Sequence, residues 1–171
     1  MRGDGAAFRI TDASGEGDIV IARELFSEYR DHLGVDLGFQ DFSTELMELP
    51  GAYSPPSGRL LLAWFRGEPA GCVALKKAGE DVCEMKRLYV RPEFRGHGIG
   101  RVLAERVIEA AAGLGYVTMV LDTLDRLEGA MALYASLGFR RTAPYYDNPL
   151  PGVVYWKLEL QAKRRHVCAG D

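Results

Sequence analysis

Apolar residues recur along the chain with two different periods, and the changes of period mark the predicted elements. Runs of period two predict strands, and stripes that repeat every three to four residues predict amphipathic helices. The predicted strands are residues 8–11, 59–65, 70–77, 82–90, 117–123 and 153–160. The predicted helices are residues 19–33, stopped by Gly34, 43–49, capped by Ser43, 98–114 and 128–137.

The order of these elements, β-α-α-β-β-β-α-β-α-β, predicts one α/β domain (α+β by some schemes) over residues 8–160. Turn residues between the second and third strands predict an antiparallel hairpin. The helix that follows the strand 82–90 makes at least one strand pair parallel, because parallel neighbours need a crossover. We expect residues 1–7 to be a flexible N-terminus and residues 161–171 to be a C-terminal tail.

Composition narrows the class of protein. With 47% hydrophobic and 26% charged residues, the chain matches ordinary globular domains, which excludes disorder and fibrous repeats. The sequence contains no apolar run near the ~18 residues of a membrane span and no apolar signal at its start, so we expect a cytoplasmic protein that does not bind membranes. An odd set of three cysteines and three scattered histidines indicate neither a disulfide framework nor a metal site.

Positive charge is concentrated in one segment. Residues 86–106 contain six basic and two acidic residues, a local charge of +4 in a chain whose net charge is −3. A basic island in an acidic chain indicates one anionic ligand, whereas a nucleic-acid surface would make the domain basic as a whole. We therefore expect a polyphosphate ligand and no nucleic-acid partner.

The most informative segment joins the strand 82–90 to the helix 98–114 and reads Arg95-Gly96-His97-Gly98-Ile99-Gly100-Arg101. Glycines at alternating positions let a ligand approach the backbone and leave successive N–H groups free to donate to it. The positive end of the following helix dipole faces the same loop. The segment therefore predicts a pyrophosphate cradle, with the two arginines as charge partners.

Two other phosphate-binding loops can be compared with this segment. No Gly-Lys-Ser/Thr follows the glycines, which excludes a Walker loop. A G-x-G-x-x-G dinucleotide fingerprint would need a third glycine at Leu103 when counted from Gly98, or at Arg101 when counted from Gly96. Asp122 does resemble the ribose-binding acid of that motif, so a dinucleotide-dependent oxidoreductase stays as a weaker alternative.

Two blocks of the sequence resemble signatures of the GCN5-related N-acetyltransferases, the GNAT superfamily. Residues 95–100 match its Q/R-x-x-G-x-G/A motif, which in that family follows a strand like 86–90 and binds the pyrophosphate of acetyl-coenzyme A. Residues 130–134 and 138–139 match its A-x-x-L-Y…G-F block. The resemblance covers residues 8–160 and implies a mixed, mostly antiparallel sheet of about six to seven strands with helices on both faces.

The resemblance also implies an activity. A member of this family moves an acetyl group from the thioester of acetyl-coenzyme A to a primary amine, by direct transfer in a ternary complex and without a metal. No activating base lies near Cys83 in sequence, which argues against a covalent enzyme intermediate. The acceptor would be a small-molecule or peptide amine. Family members are often dimers, so the resemblance is compatible with a homodimer, although the sequence does not fix the oligomeric state. A non-catalytic coenzyme A-binding sensor would share the cradle and is the alternative from another class.

Two residues are candidates for proton transfer. A capping box at residues 125–128 starts a helix near Arg126 and places Tyr134 on its buried stripe, facing the glycine loop. A phenol with a pKa of about 10 stays protonated at neutral pH, so Tyr134 is predicted to donate to the departing thiolate. Glu84, on the strand that runs into the cradle, is the candidate base for the amine. A structural Glu84 paired with Lys86 or Arg87 is the alternative.

The remaining contacts are implied by the resemblance. The end of the strand at residues 88–90 would separate from its neighbour, pair with the pantetheine arm and direct N–H groups at the thioester carbonyl. Many relatives carry an asparagine where this chain has Leu127, which removes one side-chain contact. The predicted coenzyme-binding residues are Leu88, Tyr89, Val90, Arg95, Gly96, His97, Gly98, Ile99, Gly100, Arg101 and Thr123.

Acceptor recognition is expected from the variable parts of the chain. Tyr145, Tyr146 and Asn148 precede the last strand, and the segment 29–53 supplies further polar side chains, Gln40 among them. Tyrosines in surface loops often line binding sites. The acidic residues outside the basic island would suit a cationic amine.

Overall fold

The computed structural model describes residues 7–160, so the predicted tail and all but the last residue of the predicted N-terminal segment lie outside the described residues. The strands are β1 (Phe8–Asp12), β2 (Arg59–Phe65), β3 (Glu68–Lys77), β4 (Val82–Val90), β5 (Thr118–Leu124), β6 (Arg140–Thr142) and β7 (Val153–Glu159). The helices are α1 (Gly15–Leu33), α2 (Phe42–Glu48), α3 (Ile99–Gly113) and α4 (Glu128–Ser136). None of the helices within 7–160 has the length and apolar character that a membrane crossing requires.

The strands form one mixed sheet in the order β1-β2-β3-β4-β5-β7-β6. All neighbours are antiparallel except β4 and β5, which α3 connects as a parallel pair. The prediction of a mostly antiparallel α/β sheet is confirmed. The sequence pattern missed β6, because its three residues are polar and carry no apolar alternation.

Two hydrophobic cores flank the sheet, one on each face. Alternate residues of β2 contribute to them: Leu61 and Ala63 pack on the side of α3 and α4, and Leu60 and Leu62 on the side of α1 and α2. Leu62 is 0% exposed, and burying one leucine contributes about 1.5–3 kcal/mol. Helices on both faces therefore hold the sheet, as predicted.

The sequence signals predicted some helix ends correctly and others incorrectly. Gly34 stops α1 as predicted: it adopts φ 64° and donates its N–H to the carbonyls of Arg30 and Asp31. Ser43 lies inside α2 instead of capping it. The predicted start of the last helix at residue 128 is confirmed for α4, but the capping box that would start it near Arg126 is not formed, because Leu127 precedes the helix and no side chain caps it.

A bulge in β4 changes which side chains face the site. Arg87 and Leu88 together oppose the single residue Val73 of β3. Arg87 adopts φ 61°, a left-handed conformation that costs a residue with a side chain about 1–2 kcal/mol. Its buried guanidinium compensates by donating to both carboxylate oxygens of Glu45 on α2, each at 2.9 Å. A contact between distant segments therefore fixes the local backbone.

β4 and β5 pair only where they begin. Residues 82–84 pair with residues 118–120, and no pairing joins the two strands beyond Glu84. The rest of β4 therefore separates from β5, as the family resemblance implied for residues 88–90. Ligands of sheets with parallel strands bind at such openings beyond the carboxyl ends of the strands.

Candidate active site

A cleft of about 480 Å³ opens where β4 and β5 separate, between α1, α4 and the glycine loop. Two of the predicted coenzyme contacts point elsewhere. The ring of His97 packs against Phe65 at 4.7 Å, and the Arg101 guanidinium donates to Ser136 Oγ at 2.6 Å and pairs with Glu105 at 3.6 Å. The predicted residues that do line the cleft are Leu88, Tyr89, Val90, Arg95, Gly96, Gly98, Ile99, Gly100 and Tyr134.

The glycine loop presents a row of free amides. Within the described chain, the six N–H groups from Gly96 to Arg101 have no acceptor, and the first bond of α3 runs from Val102 to the carbonyl of Gly98 at 3.2 Å. Gly96 and Gly98 adopt φ 86° and 79°, and a Cβ added at either would meet no atom within 4 Å. Open backbone, positive φ and a helix N-terminus together fit a diphosphate.

The basic island supplies one free cation to the cleft. Arg91 is neutralised by Glu28 of α1, which accepts from its guanidinium at 2.7 Å. Arg95 lines the cleft, donates to the carbonyl of Val90 at 3.0 Å and has no carboxylate within 4 Å in the described part of the chain. Arg95 is therefore the guanidinium available to a phosphate.

Tyr134 of α4 lines the cleft. Helix α4 places its ring edge-on to Phe139, with centroids 5.7 Å apart, and leaves the residue 7% exposed. No side chain or carbonyl among residues 7–160 hydrogen-bonds to its hydroxyl. Burial raises the pKa of this phenol well above its usual value, so the hydroxyl stays protonated and can donate.

A second, smaller cavity of about 80 Å³ adjoins the cleft between β4 and β5. The two cavities share six lining residues, Tyr29, Leu33, Leu88, Leu127, Ala130 and Tyr134, so Tyr134 belongs to the wall that both cavities have in common. Thr123, predicted to contact the coenzyme, lines this smaller cavity instead of the cleft. The polar residues around the smaller cavity are Gln40, Lys86, Arg87, Asp122 and Asn148.

A hydrogen-bonded chain forms the polar wall of this cavity. Lys86 Nζ donates to Gln40 Oε1 at 3.3 Å, and Gln40 Nε2 donates to the Tyr146 hydroxyl at 2.9 Å. The Tyr146 hydroxyl donates to Asp122 Oδ2, which also accepts from Asn148 Nδ2 at 2.8 Å. Of the predicted acceptor residues, Asn148 therefore lines the cavity, and Tyr146 hydrogen-bonds to the lining residues Gln40 and Asp122. Sequence reasoning did not assign Lys86 or Asp122 to acceptor binding.

Glu84 lies outside both cavities. Its buried carboxylate accepts from the Tyr145 hydroxyl at 2.5 Å and lies 3.7 Å from Lys76 Nζ. The cation beside Glu84 is therefore Lys76, whereas the structural alternative in the sequence analysis paired Glu84 with Lys86 or Arg87. The role of Glu84 as the base, and of Tyr145 in acceptor binding, stays a prediction.

Comparison with known proteins gives the family. The profile of the Acetyltransferase (GNAT) family matches residues 21–139. An uncharacterized N-acetyltransferase of Schizosaccharomyces pombe is 49% identical over 138 residues, which are 80% of this chain and 85% of that protein. The N-acetylaspartate synthetase of Danio rerio is 36% identical over 118 residues, 68% of this chain and 42% of that protein.

The fold agrees with a solved structure. The protein yncA of Salmonella typhimurium, whose structure contains its cofactor acetyl-CoA, superposes with a TM-score of 0.67 over 92% of this chain and 96% of that chain, at 21% identity. Within residues 7–160, no group of three His, Cys, Asp or Glu side chains is arranged to hold a metal ion. The family match over most of the domain, together with the sequence relatives, identifies this chain as an N-acetyltransferase that belongs to the GNAT family.

Proposed function

We propose that this enzyme moves the acetyl group of acetyl-coenzyme A to the primary amine of a small acceptor, by direct transfer in a ternary complex. One observation carries the proposal: the cleft with free amides and the smaller polar cavity are both lined by Tyr134, whose hydroxyl has no hydrogen-bond partner among residues 7–160. Two bound substrates would then contact one another beside a proton donor. Two comparisons support the two substrates: the structure of yncA, which has the same fold, contains acetyl-CoA, and one sequence relative is named for the synthesis of N-acetylaspartate, an acetylated amine.

The proposed binding of the coenzyme depends mainly on backbone groups. The amides of residues 96–101 would hold the diphosphate, and the guanidinium of Arg95 would add charge. The carbonyl of Val90 points away from β3, because it accepts from Arg95. Its N–H faces the same gap, since a strand residue directs both backbone groups to one side. This free edge of β4 is placed to pair with the pantetheine arm.

Acetyl-coenzyme A supplies an activated acetyl group, and side chains of the protein donate and accept the protons. A C–N bond forms to the acceptor as the C–S bond breaks, and Tyr134 donates its proton to the sulfur. The acceptor ammonium loses two protons. One goes to a carboxylate and on to solvent, and the other replaces, through solvent, the proton that Tyr134 gave. Asp122 is the carboxylate that lines the acceptor cavity.

Direct transfer predicts that no cysteine is needed. Cys83 is 0% exposed, and burial raises the pKa of its thiol to about 12, so the thiolate is scarce at neutral pH. Initial rates at varied concentrations of both substrates should give intersecting lines, and Cys83→Ala should keep kcat within about twofold of wild type. Parallel lines, or an inactive variant with an unchanged melting curve, would contradict direct transfer.

The test of the proposal as a whole is release of free thiol from acetyl-coenzyme A in the presence of a panel of primary amines. We expect amine-dependent release well above hydrolysis. A chain that binds acetyl-coenzyme A but releases no thiol with any amine would be a coenzyme sensor.

The two candidate bases can be separated by isosteric substitution. Asp122→Asn should lower kcat/KM by about 10- to 100-fold and change the pH–rate profile, because the carboxylate beside the acceptor is lost. Glu84→Gln, whose carboxylate lies outside both cavities, should keep the wild-type profile. The reverse result would assign the base to Glu84, as the sequence predicted, through a path that includes Tyr145.

A further inference from the structure

The acceptor cavity contains a cation without a counter-charge. Lys86 lines it, and within the described chain no carboxylate oxygen lies within 4 Å of its Nζ, whose one hydrogen bond goes to the neutral amide of Gln40. The neighbouring cation, Arg87, is matched by Glu45. Desolvation and the neighbouring Arg87 lower the pKa of Lys86, and Glu84 and Asp122, neither of which is within 4 Å of its Nζ, offset this only in part. An anionic group in the cavity would supply that partner.

The opposite charge lies on the same wall. Both donors to Asp122, the Tyr146 hydroxyl and Asn148 Nδ2, reach Oδ2, and no donor within residues 7–160 reaches Oδ1. The carboxylate lines the cavity and keeps capacity for an ammonium. Gln40 bonds to Lys86, Tyr146 bonds to Asp122, and Gln40 and Tyr146 bond to one another, so this chain connects the two charges, which do not pair directly.

We propose that the acceptor is a small amino acid with a free carboxylate, which pairs with Lys86 while the amino group reaches Asp122 beside Tyr134. This inference rests on the proposed function and names its substrate class. A polyamine would bring a second cation toward Lys86, and a peptide N-terminus would bring a neutral amide there. The cavity of about 80 Å³ favours a small acceptor. The proposed acceptor is therefore a zwitterion, whereas the acidic residues of the sequence suggested a cationic amine.

Binding is measured by calorimetry with the protein saturated with coenzyme A, which cannot react. The ligands are the twenty protein amino acids and, for each that binds, its amide and its decarboxylated amine. We expect at least one amino acid to bind about tenfold or more tightly than its own amide, because the amide cannot form the charged pair with Lys86.

Variants of one lysine decide whether this preference comes from Lys86. Lys86→Met should weaken binding of the acid by about 10- to 100-fold and leave its amide unchanged, so that the preference disappears. Lys86→Arg keeps the positive charge and should retain most of the preference for the acid over its amide. This variant also tests the proposal if Lys86→Met does not fold. The matched control is Lys157→Met, an exposed lysine of β7 that lines neither cavity and should behave as wild type.

The outcomes separate this inference from the proposed function. Binding of no amino acid, equal binding of acid and amide, or an equal effect of Lys86→Met on both would overturn the inference. Thiol release with amines that lack a carboxylate, in preference to amino acids, would support transfer and overturn the acceptor class. Tight, Lys86-dependent binding of an amino acid without thiol release would support the acceptor site and refute the transfer.

Discussion

Replacing Gly98 by valine should raise the dissociation constant of coenzyme A by about 100-fold or more. Gly98 lines the cleft, and a Cβ at this position meets no protein atom within 4 Å, so the added methyl groups would occupy the space above the free amides. A diphosphate displaced from two of these amides loses charge-assisted hydrogen bonds of about 1.5–3 kcal/mol each, which corresponds to roughly 100- to 10,000-fold in affinity. Calorimetry with coenzyme A measures the effect.

Gly115→Val is the matched control for Gly98→Val. Gly115 also adopts positive φ, 91° against 79° for Gly98, and also faces open space, but it follows the opposite end of α3. Both variants carry the strain of a side chain in the left-handed region, about 1–2 kcal/mol. Melting temperatures should therefore fall by similar amounts while only Gly98→Val loses coenzyme. Unchanged affinity in Gly98→Val would refute the cradle itself.

The cradle was predictable from sequence because its determinants are local. Positive φ, free amides and the start of a helix all follow from the glycines and the apolar stripe within residues 96–107. Strand β4 was predicted residue for residue, since turn residues bound a clear apolar run on both sides. Gly34 stopped α1 for the same local reason.

The acceptor side was not predictable, because distant contacts set it. Strict alternation along β4 would put Leu88 on the face of Glu84, but the bulge at Arg87 moves it to the face of Met85. The partner that holds the bulge, Glu45, lies 42 residues away in sequence. No local pattern shows that Glu45 and Arg87 meet, so the surroundings of Lys86 and Glu84 could not be assigned from the sequence.

The charge argument agrees with a family that uses acetyl-coenzyme A, but it was incomplete about the residues. The basic island suggested several arginines at one anion, but acids of α1 and α2 neutralise two of them. Glu28 pairs with Arg91 and Glu45 with Arg87, which leaves Arg95 on the cleft. Net charge along a sequence reports how many cations are present, and only the packing of helices on the sheet decides which of them stay unpaired.

Tyr134→Phe should lower kcat by roughly 100- to 1,000-fold while the dissociation constant of coenzyme A stays within about twofold. Phenylalanine keeps the ring that packs edge-on to Phe139 and removes only the hydroxyl. Because burial keeps that hydroxyl protonated, the alkaline side of the wild-type pH–rate profile should not report its ionisation. Rapid-quench measurement of a single turnover isolates the chemical step from product release.

The hydroxyl of Tyr134 has no hydrogen-bond partner among residues 7–160, and this makes its proposed catalytic role separable from a structural one. Tyr134→Phe should leave the melting temperature unchanged, since no hydrogen bond to the described residues is lost. Tyr116→Phe gives the opposite pattern: its hydroxyl donates to the carbonyl of Ser57 at 2.7 Å, outside both cavities. Losing that bond should cost about 1 kcal/mol, or ~2–4 °C, with kcat intact. A wild-type kcat in Tyr134→Phe would instead show that solvent protonates the departing sulfur, and the position of Tyr134 on the wall common to both cavities would then contribute nothing to catalysis.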